Sequence, residues 1–117
     1  MVAYNFQARF AKAVAIGAKR QTIRAPRKSG HAIVGQALQL YTGLRTKRAC
    51  KLRDPDPLCI TSTYCAIRED GITLGNHPTV DLDEFARRDG FRDFADMKDW
   101  FRKTHGLPFI GHLIVWF

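Results

Sequence analysis

A chain of 117 residues, 45% hydrophobic and 26% charged, has the composition of one soluble globular domain, with no room for a second core and too much apolar content for disorder. Its formal net charge of +8 is unevenly laid out: twelve Lys or Arg and no acid precede Asp54, while the rest carries seven bases and all eleven acids. A partition this sharp makes a directional field suited to phosphate, and the longest apolar stretch, around Leu113 to Phe117, is far too short to span a bilayer.

In chain order, Val2 to Phe6 reads as a short strand. Arg9 and Lys12 interrupt the N-terminal region before a signal-peptide pattern develops, so the cytoplasm is the expected compartment. Gln7 to Ile16 reads as a helix with Phe6, Phe10, Ala13 and Val14 at helical spacing, stopped by Gly17. Gln21 to Arg24 is a short strand ended by Pro26, and Arg27 to Gly30 is a basic, turn-rich loop. A strand follows over Gln36 to Thr42, then a second basic loop over Gly43 to Arg48. Cys50 to Leu52 starts another strand, which the Asp54-Pro55-Asp56-Pro57 break closes. Leu58 to Ile67, rich in Thr, Ile, Tyr and Cys, is a strand that turns at Glu69-Asp70-Gly71 into Ile72 to Leu74.

After Gly75 the texture becomes helical. Asp81 with Glu84 resembles a capping box for a helix that stops at Gly90, and Asp93 with Asp96 repeats the arrangement for a helix ended by Gly106. Phe94, Met97, Trp100 and Phe101 recur at helical spacing and read as core. Phe109 to Trp116 is a final buried strand, with Trp116 and Phe117 expected to seal the fold. The predicted class is α+β: a single domain over 1–117, with a small curved or barrel-like sheet and flanking helices.

Cys50, Cys59 and Cys65 stand at spacings of nine and six without a CxxC pair, and His31, His77, His105 and His112 are scattered. Reduced, mostly buried thiols are expected, with no metal site and no cofactor. Chemistry concentrates instead in two stretches. In Lys19-Arg20-Gln21-Thr22-Ile23-Arg24, strand alternation sends Thr22 and Arg24 to one face, where they can line a cleft with Lys19; the same stretch also reads as a solvated basic turn. In Tyr41-Thr42-Gly43-Leu44-Arg45-Thr46-Lys47-Arg48, a ring beside cations offers stacking and phosphate contacts for single-stranded nucleic acid, or simply a strand residue and a wet loop.

These stretches carry a resemblance. Lys19-x-Gln21-Thr22-Ile23-Arg24, Gly35-x-x-Leu38-Gln39-Leu40-Tyr41-Thr42-Gly43 and Arg45-Thr46 resemble the ASCH domains of the PUA-like superfamily. Phe85-Ala86, Asp89-Gly90-Phe91, Met97-x-x-Trp100-Phe101 and His105-Gly106 extend the similarity, in order, over roughly the whole chain. Where many relatives have Asp after Gly35, this chain has Gln36 and Ala37. The resemblance implies a small β-barrel with helices against it and a cleft for RNA or a modified nucleoside.

One branch of the family is similar to a bacterial N4-acetylcytidine amidohydrolase that uses Lys, Thr and Glu. Carried over by motif, these roles fall on Lys19, Thr22 and Asp89, the last one methylene shorter than Glu. A neutral Lys19 would take the Thr22 proton and Asp89 would protonate the leaving amine. Asp89, just before Gly90, equally suits a helix terminus and turn. Ligand or nucleic-acid contacts are expected from Arg20, Gln21, Arg24, Arg27, Lys28, Tyr41, Arg45, Lys47 and Arg48. Three functions follow as expectations: binding of RNA or a modified nucleoside, hydrolysis of an N4-acylated cytidine, or a protein-interaction adaptor role.

Overall fold

The computed structural model describes residues 2–75, 77–78 and 81–117. The elements run β1 (Val2–Phe6), α1 (Ala8–Ala15), β2 (Gln21–Arg24), β3 (Leu38–Thr42), β4 (Cys50–Lys51), β5 (Cys59–Arg68), β6 (Gly71–Leu74), β7 (His77–Pro78), α2 (Leu82–Arg88), α3 (Phe94–Thr104) and β8 (Phe109–Trp116). The α+β class is as expected, with the elements within a few residues of their predicted bounds. The two-residue strand β7 is an addition.

The strands form two sheets, in the orders β1-β3-β4 and β2-β8-β5-β6-β7. An isolated bridge between Ala37 and Leu58 joins them, and no strand pairing among the described residues closes them into a barrel. β1 runs parallel to β3, from Val2 opposite Leu38 to Phe6 opposite Thr42, a pairing that requires the long connection through α1 and β2. β8 is an interior strand of the larger sheet, antiparallel to β2 on one side and to the central strand β5 on the other.

Local chemistry sets the helix ends. Asp81 accepts from the Glu84 backbone N–H at 2.9 Å and Asp93 from that of Asp96 at 2.8 Å, each satisfying a donor in a first turn. The Glu84 carboxylate turns to Arg87 and Arg88 on its own helix instead of completing a reciprocal box. α1 buries Phe10 and Val14, and α3 buries Phe94, Met97 and Phe101. These side chains join Tyr4, Phe6, Leu38, Leu40, Ile67, Ile114 and Trp116 in one continuous core. Cys59 and Cys65 are buried, Cys50 is exposed, and all three are free thiols.

Phe117 departs from expectation. It is 71% exposed and seals nothing, because the last strand ends at Trp116, the ring that fills the core. No helix among the described residues is long and apolar enough to cross a membrane.

A buried lysine and aspartate in an aromatic cavity

The turn after α1 brings Lys19 back under the helix, with its backbone N–H on the Ala13 carbonyl at 2.9 Å. The side chain then runs inward and is only 3% exposed, a rare state for a lysine without a partner. Its partner is Asp89, 4% exposed, at the C-terminal cap of α2. Lys19 Nζ lies 3.4 Å from Asp89 Oδ1 and also donates to the Asp89 backbone carbonyl. Gln21 Nε2 donates to the same Oδ1 at 3.2 Å, so one carboxylate oxygen is held from two elements.

Gly90 makes this approach possible. Its φ is +97°, and a Cβ there would come within 3.0 Å of the Phe10 ring and 3.2 Å of Lys19 Cδ. Gly111 serves the neighbouring strand: a Cβ on it would meet the Arg24 carbonyl oxygen at 2.5 Å, so β8 closes on the end of β2 only without a side chain. Thr22 and Arg24 project to the same side, as alternation predicts, and Arg24 Nε donates to Thr22 Oγ1 at 2.9 Å. Arg24 Nη2 donates to the Asn5 carbonyl at 2.7 Å, tying β2 to β1.

Lys19, Thr22, Arg24 and Asp89 line a single cavity of about 310 Å³, at the small end of the range for ligand pockets. Its other walls include Phe6, Phe10, Phe91, Trp100 and His105. Phe10, Phe91 and Trp100 pack edge to face or tilted, with ring centres 5.4 to 6.2 Å apart. Lys19 Nζ sits 5.0 Å from the Phe10 centroid and 5.8 Å from that of Phe6.

Burial dominates the electrostatics of the pair. Desolvation pushes the Lys19 ammonium below the ordinary lysine range, against the attraction of Asp89. The same cost pushes the Asp89 carboxyl above the ordinary aspartate range, against Lys19 and the Gln21 hydrogen bond. Burial thus works against the charge of each group, while their mutual attraction works to keep the pair ionised. Burial brings the Arg24 guanidinium down to about 10, which leaves it charged at neutral pH.

A second cavity, of about 340 Å³, shares Asn5, Arg24 and Ala25 with the first and adds Arg27 and Arg45. Arg20 faces away, on a third cavity with Phe117, and Gln21 contributes to that wall as well as to Asp89. Tyr41 is half-buried on β3, its ring 6.0 Å from Lys51 Nζ. Lys28, Lys47 and Arg48 are exposed, and with Tyr41 they line neither of the two joined cavities.

Trp100 and Phe101, read from their spacing as core, both contribute to the wall of the first cavity. Phe101 is buried, but Trp100 is only half-buried and leaves part of its ring on the open space. Of the other aromatic wall residues, Phe6 and Phe10 stood out by helical spacing and Phe91 and His105 by the resemblance, but none of the four was expected to line the cleft. Among the described residues no group of three or more His, Cys, Asp or Glu converges. No family model, no curated protein and no solved structure matches this chain.

Proposed function

We propose that the chain is a nucleoside-recognising domain of the ASCH type within the PUA-like superfamily, taking one base into the first cavity. The base belongs to a modified nucleoside or to an unpaired position of RNA. The observation that carries this reading is the union of a buried Lys19–Asp89–Gln21 cluster with aromatic walls in a space of about 310 Å³. A base offers two π-faces for such walls and an edge of donors and acceptors for such a cluster. A buried ion pair is weak support for a fold, since well-packed apolar residues often serve stability as well. Its retention beside an open cavity favours a ligand role. The small barrel belongs to the same proposal, with the two sheets meeting at Ala37 and Leu58 as its open form.

The contact between Lys19 and Asp89 beside Thr22 favours a second reading, hydrolysis of an N4-acylated cytidine. Thr22 Oγ1 accepts from Arg24, and its own proton has no acceptor among the described residues, so it is free for a base. Lys19 lines the same cavity but makes no hydrogen bond to Thr22. In its neutral form it acts as the base that takes the Thr22 proton as the hydroxyl attacks the acyl carbon. Asp89, in its acid form, protonates the departing amine, and one water then cleaves the acyl-threonine ester to release the carboxylic acid.

Calorimetry and chromatography with N4-acetylcytidine test the two readings together. Saturable binding is expected, weakened at least tenfold by Trp100→Ala on the scale of one lost stacking contact. Equimolar cytidine and acetate are expected if the site is hydrolytic, and Thr22→Ala should abolish both products. Binding without product removes the hydrolytic reading. The absence of binding by any cytidine nucleoside or single-stranded RNA removes both.

A further inference from the structure

The second cavity has no part in either reading, yet its chemistry is distinctive. Arg24, Arg27 and Arg45 face it together with Tyr4 and His31, and no Asp or Glu lines it. None of the three guanidinium groups has a carboxylate partner among the described residues. Like charges are nevertheless held close: the Arg24 and Arg27 centres lie 5.3 and 4.5 Å from the same Tyr4 ring.

The third cation is held by its backbone. Arg45 has φ +68°, the one non-glycine residue in the left-handed region among the described residues. Asn5 Oδ1 fixes the preceding turn by accepting from the Leu44 N–H at 2.8 Å, and the Thr46 hydroxyl donates to the Gly43 carbonyl at 2.6 Å. A non-glycine residue in this conformation is strained relative to ordinary backbone, and such strain gathers at ligand sites.

The geometry points to a phosphate subsite in this second cavity, joined across Arg24 to the nucleoside in the first. Planar guanidinium groups match phosphate oxygens two at a time, and an acid-free wall leaves nothing to repel the anion. Because the cavities share Asn5, Arg24 and Ala25, one ligand can occupy both. The natural ligand is then a phosphorylated nucleoside, free or as a unit of single-stranded RNA, rather than the bare nucleoside. The identity of that ligand rests on the proposed function; anion binding by the cavity does not.

The test has two parts. Inorganic phosphate is titrated at low salt while the Leu44 and Arg45 amides and the Arg24 Nε–H are followed by NMR. Cytidine and its 5′- and 3′-monophosphates are then compared by calorimetry, on the wild type and on the Arg27→Ala/Arg45→Ala double variant. Phosphate should shift all three signals, and one monophosphate should bind about tenfold more tightly than cytidine, the scale of a charge-assisted hydrogen bond. The double variant, altered at two exposed side chains, should lose that gain and keep its cytidine affinity. Phosphate that moves none of the signals overturns the subsite, as do equal affinities for cytidine and both monophosphates while cytidine still binds. If phosphate binds and no nucleoside does, the subsite stands and the nucleoside reading falls.

Discussion

The two cavities that meet at Arg24 use charge in opposite ways. In the first, Lys19 is nearly enclosed and its charge is answered by a buried carboxylate brought from the other half of the chain. In the second, every wall residue precedes Asp54, Arg27 and Arg45 stand toward solvent beside a half-buried Arg24, and no acid lines the wall. The difference teaches that an acid-free segment does not make a uniform surface. Where α2 delivers Asp89 the positive charge becomes a neutralised, desolvated cluster suited to reading a polar edge. Where no acid arrives it remains an open attraction for anions.

The comparison breaks most visibly at Lys19. Lys19→Met leaves Asp89 buried without its cation, and loss of one partner of a buried pair costs about 3–5 kcal/mol. Thermal unfolding should therefore fall by roughly ten degrees or more. The same truncation of Arg27 should leave the unfolding temperature nearly unchanged, because its side chain is exposed.

A smaller effect of opposite sign sharpens the contrast. Arg45→Gly relieves a left-handed backbone but loosens the unfolded chain, for a net gain of about 0.5–1 kcal/mol in stability. Phosphate affinity should drop in the same variant. Denaturant titration and calorimetry on one sample read both, and a variant that is less stable or binds phosphate as before would remove the case for functional strain at Arg45.

The smallest effect is a pH dependence at the second cavity's edge. His31 and His112 stack with ring centres 5.0 Å apart. His31 Nε2 faces the Ala25 carbonyl at 2.8 Å, so it carries the proton, and Nδ1 accepts from the Tyr4 hydroxyl at 3.0 Å. Ser62 donates to the Ala32 carbonyl and lies 2.6 Å from His112 Nε2, which must therefore donate to it. Desolvation lowers both imidazoles from the ordinary 6.5, and each is lowered further by positive neighbours: Arg27 and Arg24 for His31, His31 for His112. Just below pH 6.5 the unfolded chain then binds more protons than the folded one. Stability is full above that value and declines as pH falls through it toward the folded-state values. Melting curves between about pH 7.5 and 6 should show the decline, and the His31→Gln/His112→Asn pair should flatten it.

Much of this was legible in the sequence because local signals mark local structure. Asp81 and Asp93 announce their helices, Gly17 and Gly90 stop theirs, and the alternation in β2 puts Thr22 beside Arg24. What stayed hidden depends on distant pairing. Nothing near Gln21 signals that its amide reaches Asp89, 68 residues away, or that β1 runs parallel to β3. Helical spacing identified Trp100 as apolar and inward, but periodicity does not say whether a ring's second face is covered. Phe117 misled for the reverse reason, since an aromatic residue at a strand end is core only if a neighbouring element reaches over it.

The most direct measurement of the central claim is an NMR titration with N4-acetylcytidine that follows the Trp100 indole N–H and base-to-ring NOEs. Saturable shifts at Trp100, with NOEs from the base protons to the Phe10 and Phe91 rings and none to Trp116, are the predicted result. Shifts confined to the exposed basic loops, with Trp100 unmoved at saturation, would contradict the account.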